Sequence, residues 1–420
     1  MITTINNKHK KLNVPNLRFP EFEGEWEEST IGEMFDLYSG NTPSRLNKEH
    51  FKGTVNWISS GELKEHYIYS SKEQISEEAA KSLKLLPVGT FVIAIYGLEA
   101  DGVRGTGSIT QEPSTISQAC MSFIPKGVIE NEFLYSWYKK HGNVIGIRYA
   151  QGTKQQNLSY DILEKFRIAY PNTKEQEKLN KFISLLDERI ATQNKIIEDL
   201  KKLKSAIIEK VFCSPNQKNP MCRIEGFEQA LSTYKMSDFS SRIATKNKDS
   251  KCSLVLTIAA QYGLVNQESF FNKSVASENL TGYYLLHKGE FAYNRSYSAG
   301  YDWGAVKRLD NYDEGVLSTL YICFKINETI VDSDYLTYYF ESTKWHRGLS
   351  DIAGEGARNH GLLNVSMTDY FNTKHRFPVI EEQKAIAKML NAITEKERKA
   401  TLLGECYQKQ KQYLLRQMFI

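Results

Sequence analysis

Four long polar side chains in a row, Lys154, Gln155, Gln156 and Asn157, stand in the loop 150–157 just ahead of a helical stretch. Gln and Asn amides pair two-point with adenine, Arg with guanine, and Lys with phosphate, so the cluster suits the reading of a nucleic acid. Two further loop sets nearby carry the same chemistry. Thr42, Ser44 and Arg45 lie in a proline-containing loop, and Tyr96 and Arg104 flank the glycine-rich turn 102–107. In the second half of the chain the matching candidates are Lys246, Asn247 and Lys248, then Asn294, Arg295 and Tyr297, then Arg358, Asn359 and His360 between two glycines. For any one of these residues a solvated loop position is the competing role; four consecutive amide and lysine side chains raise 154–157 above it.

Catalytic signatures are missing. There is no G-x-x-x-x-G-K-[ST] loop to cradle phosphate and no G-x-G-x-x-G before a helix. Pro-Pro does not occur, which rules out an Asn/Asp-Pro-Pro-aromatic loop of the kind that presents an exocyclic amine to a methyl donor. No H-x-x-x-H or Cys/His cluster points to a metal. Glu382 and Lys384 imitate the tail of a nuclease motif, but they open a helix without the preceding Pro-Asp, so a capping, solvated role is expected. The expectation is a chain that holds no cofactor or metal and performs no chemistry of its own. The rival readings are a stand-alone nuclease or methyltransferase with an unrecognised site, and a coiled-coil scaffold that does not bind DNA.

The elements that must position the loops are two long helices. Over 174–212 the sequence contains no Pro or Gly, and Leu179, Ile183, Leu186, Ile190, Ile197, Leu200, Ile207 and Val211 recur at alternating steps of three and four. That is a heptad seam, interrupted at Gln193 and Lys204. Its predicted length is roughly 55–60 Å at 1.5 Å per residue. The stretch 381–419 repeats it 207 positions later, with Ile386, Leu390, Ile393, Leu414 and Met418 on the same seam and Glu397 and Gly404 weakening its middle. The entry repeats as well: Pro171, Glu175 and Gln176 answer Pro378, Glu382 and Gln383.

Strand-rich segments precede both helices. Leu86, Gly89, Phe91, Ser117, Phe123, Phe133 and Leu134 recur as Leu286, Gly289, Phe291, Ser318, Phe324, Tyr335 and Leu336. The expected fold class is α+β, with two similar strand-rich domains joined by an antiparallel coiled coil of two long helices, a pseudo-twofold repeat within one chain. The predicted boundaries are a polar tail 1–16, a first domain 17–173, a helix 174–213, a linker 214–222, a second domain 223–379 and a helix 380–420. Strands are expected at 55–59, 90–96, 166–170, 254–258, 290–294 and 319–324, and a helix at 131–140. The net charge of +4 permits nucleic-acid binding without requiring it. Six dispersed cysteines predict free thiols in a reducing cytosol. No apolar run is long enough to span a bilayer, and the first residues lack a signal-peptide core.

Taken in order, Leu17–Phe22 (LRFPEF), Pro171 with 174–179 (KEQEKL), Pro378 with 382–386 (EQKAI), 261–267 (QYGLVNQ), 270–277 (FFNKSVAS) and 289–294 (GEFAYN) resemble the specificity subunits of Type I restriction–modification systems. The resemblance covers nearly the whole chain. It implies that each strand-rich domain is a target-recognition domain for one half of a bipartite DNA site. It also implies that the helices set the half-site spacing and dock two modification subunits, which bind S-adenosylmethionine and methylate adenine. Two restriction subunits, using ATP and Mg, would join them. The chain would then be a non-catalytic, cytoplasmic subunit bound to double-stranded DNA.

Overall fold

The computed structural model describes residues 13–152, 156–272, 279–296, 300–352, 363 and 365–420. Lys154, Gln155, Tyr297, Arg358, Asn359 and His360 lie outside the described residues. The chain forms two units: 1–194 with 402–420, and 195–401. Both long helices are shared between them.

In the first unit a five-stranded sheet runs in the order Phe35–Ser39, Cys120–Pro125, Phe91–Ala94, Gly107–Thr110, Tyr67–Ile68. All its pairings are antiparallel except the last. The second unit repeats the first four places with Ser240–Arg242, Ile322–Ile326, Phe291–Asn294 and Ala305–Arg308, all antiparallel. Each unit also pairs an early strand with the strand entering its long helix: Glu27–Thr30 with Arg167–Tyr170, and Ser232–Lys235 with Lys374–Phe377. The repeated apolar positions fill equivalent cores, for Leu86, Phe91 and Phe133, like Leu286, Phe291 and Tyr335, are all fully buried. Gly89 and Gly289 both turn through positive φ, 82° and 87°, where a side chain would be strained.

Strand bounds shift by up to three residues from the sequence expectation. The larger difference is the helix expected at 131–140, which runs Asn131–Tyr149. Its second half contains Gly142, Gly146 and β-branched residues, a poor helical composition. Close packing overrides that preference. A Cβ on Gly142 would meet the Tyr138 ring at 2.7 Å, and one on Gly146 would meet Arg104 Cγ at 2.6 Å.

The long helices span Thr173–Val211 and Ile380–Met418, 39 residues each, roughly 58 Å. In the first unit Leu179, Ile183, Ile190, Leu415 and Met418 are buried, with Leu186 and Leu414 packed against them. Asp187 accepts from Lys411 Nζ, and Arg189 donates to Tyr407 Oη at 2.7 Å. In the second unit Ile208, Val211, Ile386 and Leu390 are buried, with Ile207 beside them. Ile197, Leu200 and Ile393 are half-buried. In both units the second helix is met at falling residue numbers as the first rises, so the pairing is antiparallel. Ile208 and Leu415 take the deepest places at the seam's ends rather than Ile207 and Leu414. A straight helix drifts by about 20° per heptad from a 3.5-residue repeat, enough to pass the seam to the next residue.

Two apparent defects of the seam answer each other. Lys204 Nζ stands 3.1 Å from Glu397 Oε2, with both side chains about four-fifths covered. Gln193 is buried as well.

Candidate functional site

The strand register brings the ends of Phe35–Ser39, Phe91–Ala94, Gly107–Thr110 and Cys120–Pro125 to one edge of the first sheet. The loops leaving that edge carry Thr42, Tyr96, Arg104, Gln156 and Asn157. Thr42 Oγ1 donates to the exposed Gln118, and the Ile95 and Tyr96 amides donate to Ala119 O at 2.9 and 3.3 Å. The Gln156 amide donates to Glu99 Oε2 at 2.8 Å, and its side-chain oxygen accepts from Arg104 Nη2 at 2.6 Å. Asn157 pairs with Gln151 through reciprocal backbone bonds of 2.8 and 2.9 Å. Tyr96 is 42% exposed and unburdened by side-chain bonds among those described. This edge gathers five residue types suited to base and phosphate contact.

Ser44 and Arg45 follow Thr42 in the same loop. Ser44 is exposed. Arg45 is held bidentately by Glu73 at 3.0 and 2.7 Å and lies 4.5 Å over the Phe51 ring. Contact with a guanine would require it to leave that carboxylate.

The second unit builds an equivalent edge. In the first, the Leu158 amide donates to Ile95 O at 2.9 Å; in the second, the Leu363 amide donates to Arg295 O at 2.9 Å. Asn294 Oδ1 accepts from the Ser296 amide. Arg295 spends its guanidinium on carbonyls, donating to Val365 O at 3.1 Å and to Leu320 O at 3.3 and 3.1 Å. It therefore ties the edge loops together. Lys246 Nζ lies 3.9 Å over the Tyr284 ring and donates to Gly282 O, while Lys248 is exposed. Asn247 is 1% exposed, with its amide bonded to Cys252 O at 2.8 Å and its oxygen to Cys252 N at 3.0 Å. Its polar edge is consumed in closing the turn, so it offers nothing to a ligand.

Sequence reasoning missed Gln118 and Glu99. Both are single polar residues in short loops, and only the sheet's closure sets them beside Thr42 and Gln156. Glu382 reverses the solvated role expected for it. It is 1% exposed and accepts from Arg223 Nε and Nη2 at 3.0 and 2.5 Å. Glu175, fully buried, takes Arg18 in the same way at 2.8 and 2.7 Å. The glutamine beside each carboxylate repeats too. Gln176 accepts from the Glu130 amide and donates to Val128 O and Pro171 O. Gln383 accepts from the Asp332 amide and donates to Ile330 O and Pro378 O. The Glu-Gln pair thus locks each long helix to its own domain, and the repeat extends to individual hydrogen bonds.

Burial pushes the Cys120 and Cys323 thiols up to about 12, which keeps them protonated and unreactive. No helix among the described residues is long and apolar enough to cross a membrane.

Each unit carries a sheet-edge loop cluster on a repeated frame, and this fold is found in a solved Type I S subunit. A crystal structure of a Type-I restriction-modification S subunit from M. genitalium superposes with a TM-score of 0.55 at 16% identity, covering 97% of this chain and 99% of that one. Residues 23–202 match the family described as Type I restriction modification DNA specificity domain. The specificity subunit of the Type I restriction enzyme EcoR124I/EcoR124II of Escherichia coli is 31% identical over 204 residues, covering 47% of this chain and 49% of that one. The MjaIX specificity subunit of Methanocaldococcus jannaschii is 28% identical over 194 residues, covering 45% and 44%. The chain spans about half the length of the curated relatives it matches. Its first half is thus similar to Type I restriction–modification specificity subunits, and its fold is that of a solved S subunit.

Proposed function

We propose that the chain is the address-bearing, non-catalytic subunit of a cytoplasmic Type I complex. Each unit reads one half of a bipartite site in double-stranded DNA, and the paired helices dock two modification subunits. S-adenosylmethionine belongs to those partners; ATP and Mg belong to two restriction subunits that join them. The observation that carries this reading is the repeated lock, Arg18–Glu175 with Gln176 and Arg223–Glu382 with Gln383. Two matching frames with different loops are what a two-part address requires, since a linked second module raises the effective concentration of the other half-site.

The test is expression with a modification partner, followed by single-molecule sequencing of methylated adenine. A split motif is expected, and exchanging residues 1–173 for those of another family member changes one half of it only. An undivided motif, or a change in both halves, overturns the reading. Purified chain alone, given Mg²⁺ and S-adenosylmethionine, is expected to leave DNA unaltered.

A further inference from the structure

We propose that His66, as an imidazolium bridging Glu132 and Asp187, is a positioning residue that pins the first unit's domain to its helices, and that this attachment weakens as pH rises while its counterpart in the second unit does not.

His66 is stacked between Tyr67 and Tyr135, with ring centroids 4.1 and 3.9 Å away and planes within 9° and 2° of parallel. Nε2 is 2.8 Å from Glu132 Oε2 on the helix Asn131–Tyr149. Nδ1 is 3.5 Å from Asp187 Oδ2 on the first long helix. Asp187 Oδ1 in turn accepts from Lys411 of the second long helix. One ring therefore touches the domain and, through Asp187, both helices. Among the described residues, Lys139, 5.6 Å over the Tyr135 ring, and Glu65, next in sequence to His66, are further charged groups beside this stack.

Only the charged ring suits both neighbours. Imidazolium donates from both nitrogens, whereas neutral imidazole keeps one lone pair. That lone pair would face a carboxylate, and Asp187 Oδ2 is buried without a hydrogen bond, its close charged neighbour being Nδ1 at 3.5 Å. Burial lowers the His66 pKa, but the bonds to Asp187 and Glu132 outweigh it and the net shift is upward. A raised pKa in the folded state contributes stability that is complete below the unfolded value of about 6.5 and is lost as pH climbs through the folded value. Asp187 is raised by burial and lowered further by His66 and Lys411, for a net downward shift, so its own contribution fails only in acid.

The second unit makes the equivalent junction from groups that keep their charge state in this range. Asp334 is the second residue of its helix, as Glu132 is of its own. It accepts from Arg308 at 2.7 Å and from Asn391 at 2.7 Å. Thr394, which stands 207 positions after Asp187, lies 3.0 Å from the Tyr338 hydroxyl. His375, a fully buried histidine of this unit, is pushed down to about 3 by burial and stays neutral.

Hydrogen exchange of the full-length protein between pH 5.5 and 8.5, corrected for intrinsic rates, tests the proposal without DNA, so its outcome is separate from that of the proposed function. Protection of 131–139 and 183–190 is expected to fall by up to about tenfold per pH unit above the His66 pKa, while 334–341 and 387–394 stay level. His66→Arg keeps the charge and the stacking, so it should hold protection high at every pH. His66→Gln should hold it low at every pH. Flat protection in the unaltered protein, or pH dependence surviving in either variant, would overturn the proposal; His66→Arg and the unaltered protein decide it even where His66→Gln fails to fold.

Discussion

A single glutamine shows how much of this architecture rests on individual side chains. Gln176 satisfies one backbone N–H and two carbonyls where the domain meets its helix. Truncation to alanine leaves those three groups unanswered, at about 1–3 kcal/mol for each that stays dry. Gln176→Ala is therefore expected to lower stability by about 2–4 kcal/mol, read as an earlier urea midpoint for the first unit, and Gln383→Ala to do the same for the second. Equal effects from residues 207 positions apart would establish the repeat energetically. The Glu-Gln entry was legible in the sequence as a duplicated signature; its role was not. A buried carboxylate is indistinguishable from a solvated one until its arginine partner is located, and Arg18 and Arg223 lie more than 150 residues away in the chain.

At the scale of elements, the long helices were legible from periodicity alone, because burial of one stripe imposes a repeat that any window of sequence displays. The polar seam positions were not, since their meaning depends on what faces them. Lys204 and Glu397 form one partly buried pair. Lys204→Leu alone is expected to cost about 1–3 kcal/mol, because it strands Glu397, whereas Lys204→Leu with Glu397→Leu should match or exceed the unaltered protein. A double-mutant cycle in guanidinium chloride measures the coupling. If the double substitution costs the sum of the two single substitutions, the two side chains act independently. The helix Asn131–Tyr149 failed expectation for the opposite reason, since its glycines are kept for close contact and the tertiary packing overrides local propensity.

At the scale of the whole molecule, each unit completes its core with chain from elsewhere. Leu415, Met418 and Phe419 are buried in the first unit's core, with Phe419 5.3 Å from Phe133. Ile208, Val211 and Phe212 serve the second, where Phe212 meets Tyr335 at 5.0 Å. Phe419→Ala is thus expected to destabilise the first unit by about 3–5 kcal/mol. Hydrogen exchange should show the loss across 131–138 and none across 335–340, although residue 419 follows the second domain in sequence.

The duplication, the heptad seams and the apolar frame of each domain can be read from residue order, because burial and helical periodicity leave local, repeating marks. Which loops share an edge, which carboxylate an arginine covers and which end of the chain fills which core were decided by tertiary structure alone. Those facts depend on partners brought together across long stretches of chain, and no local pattern of residue types records them.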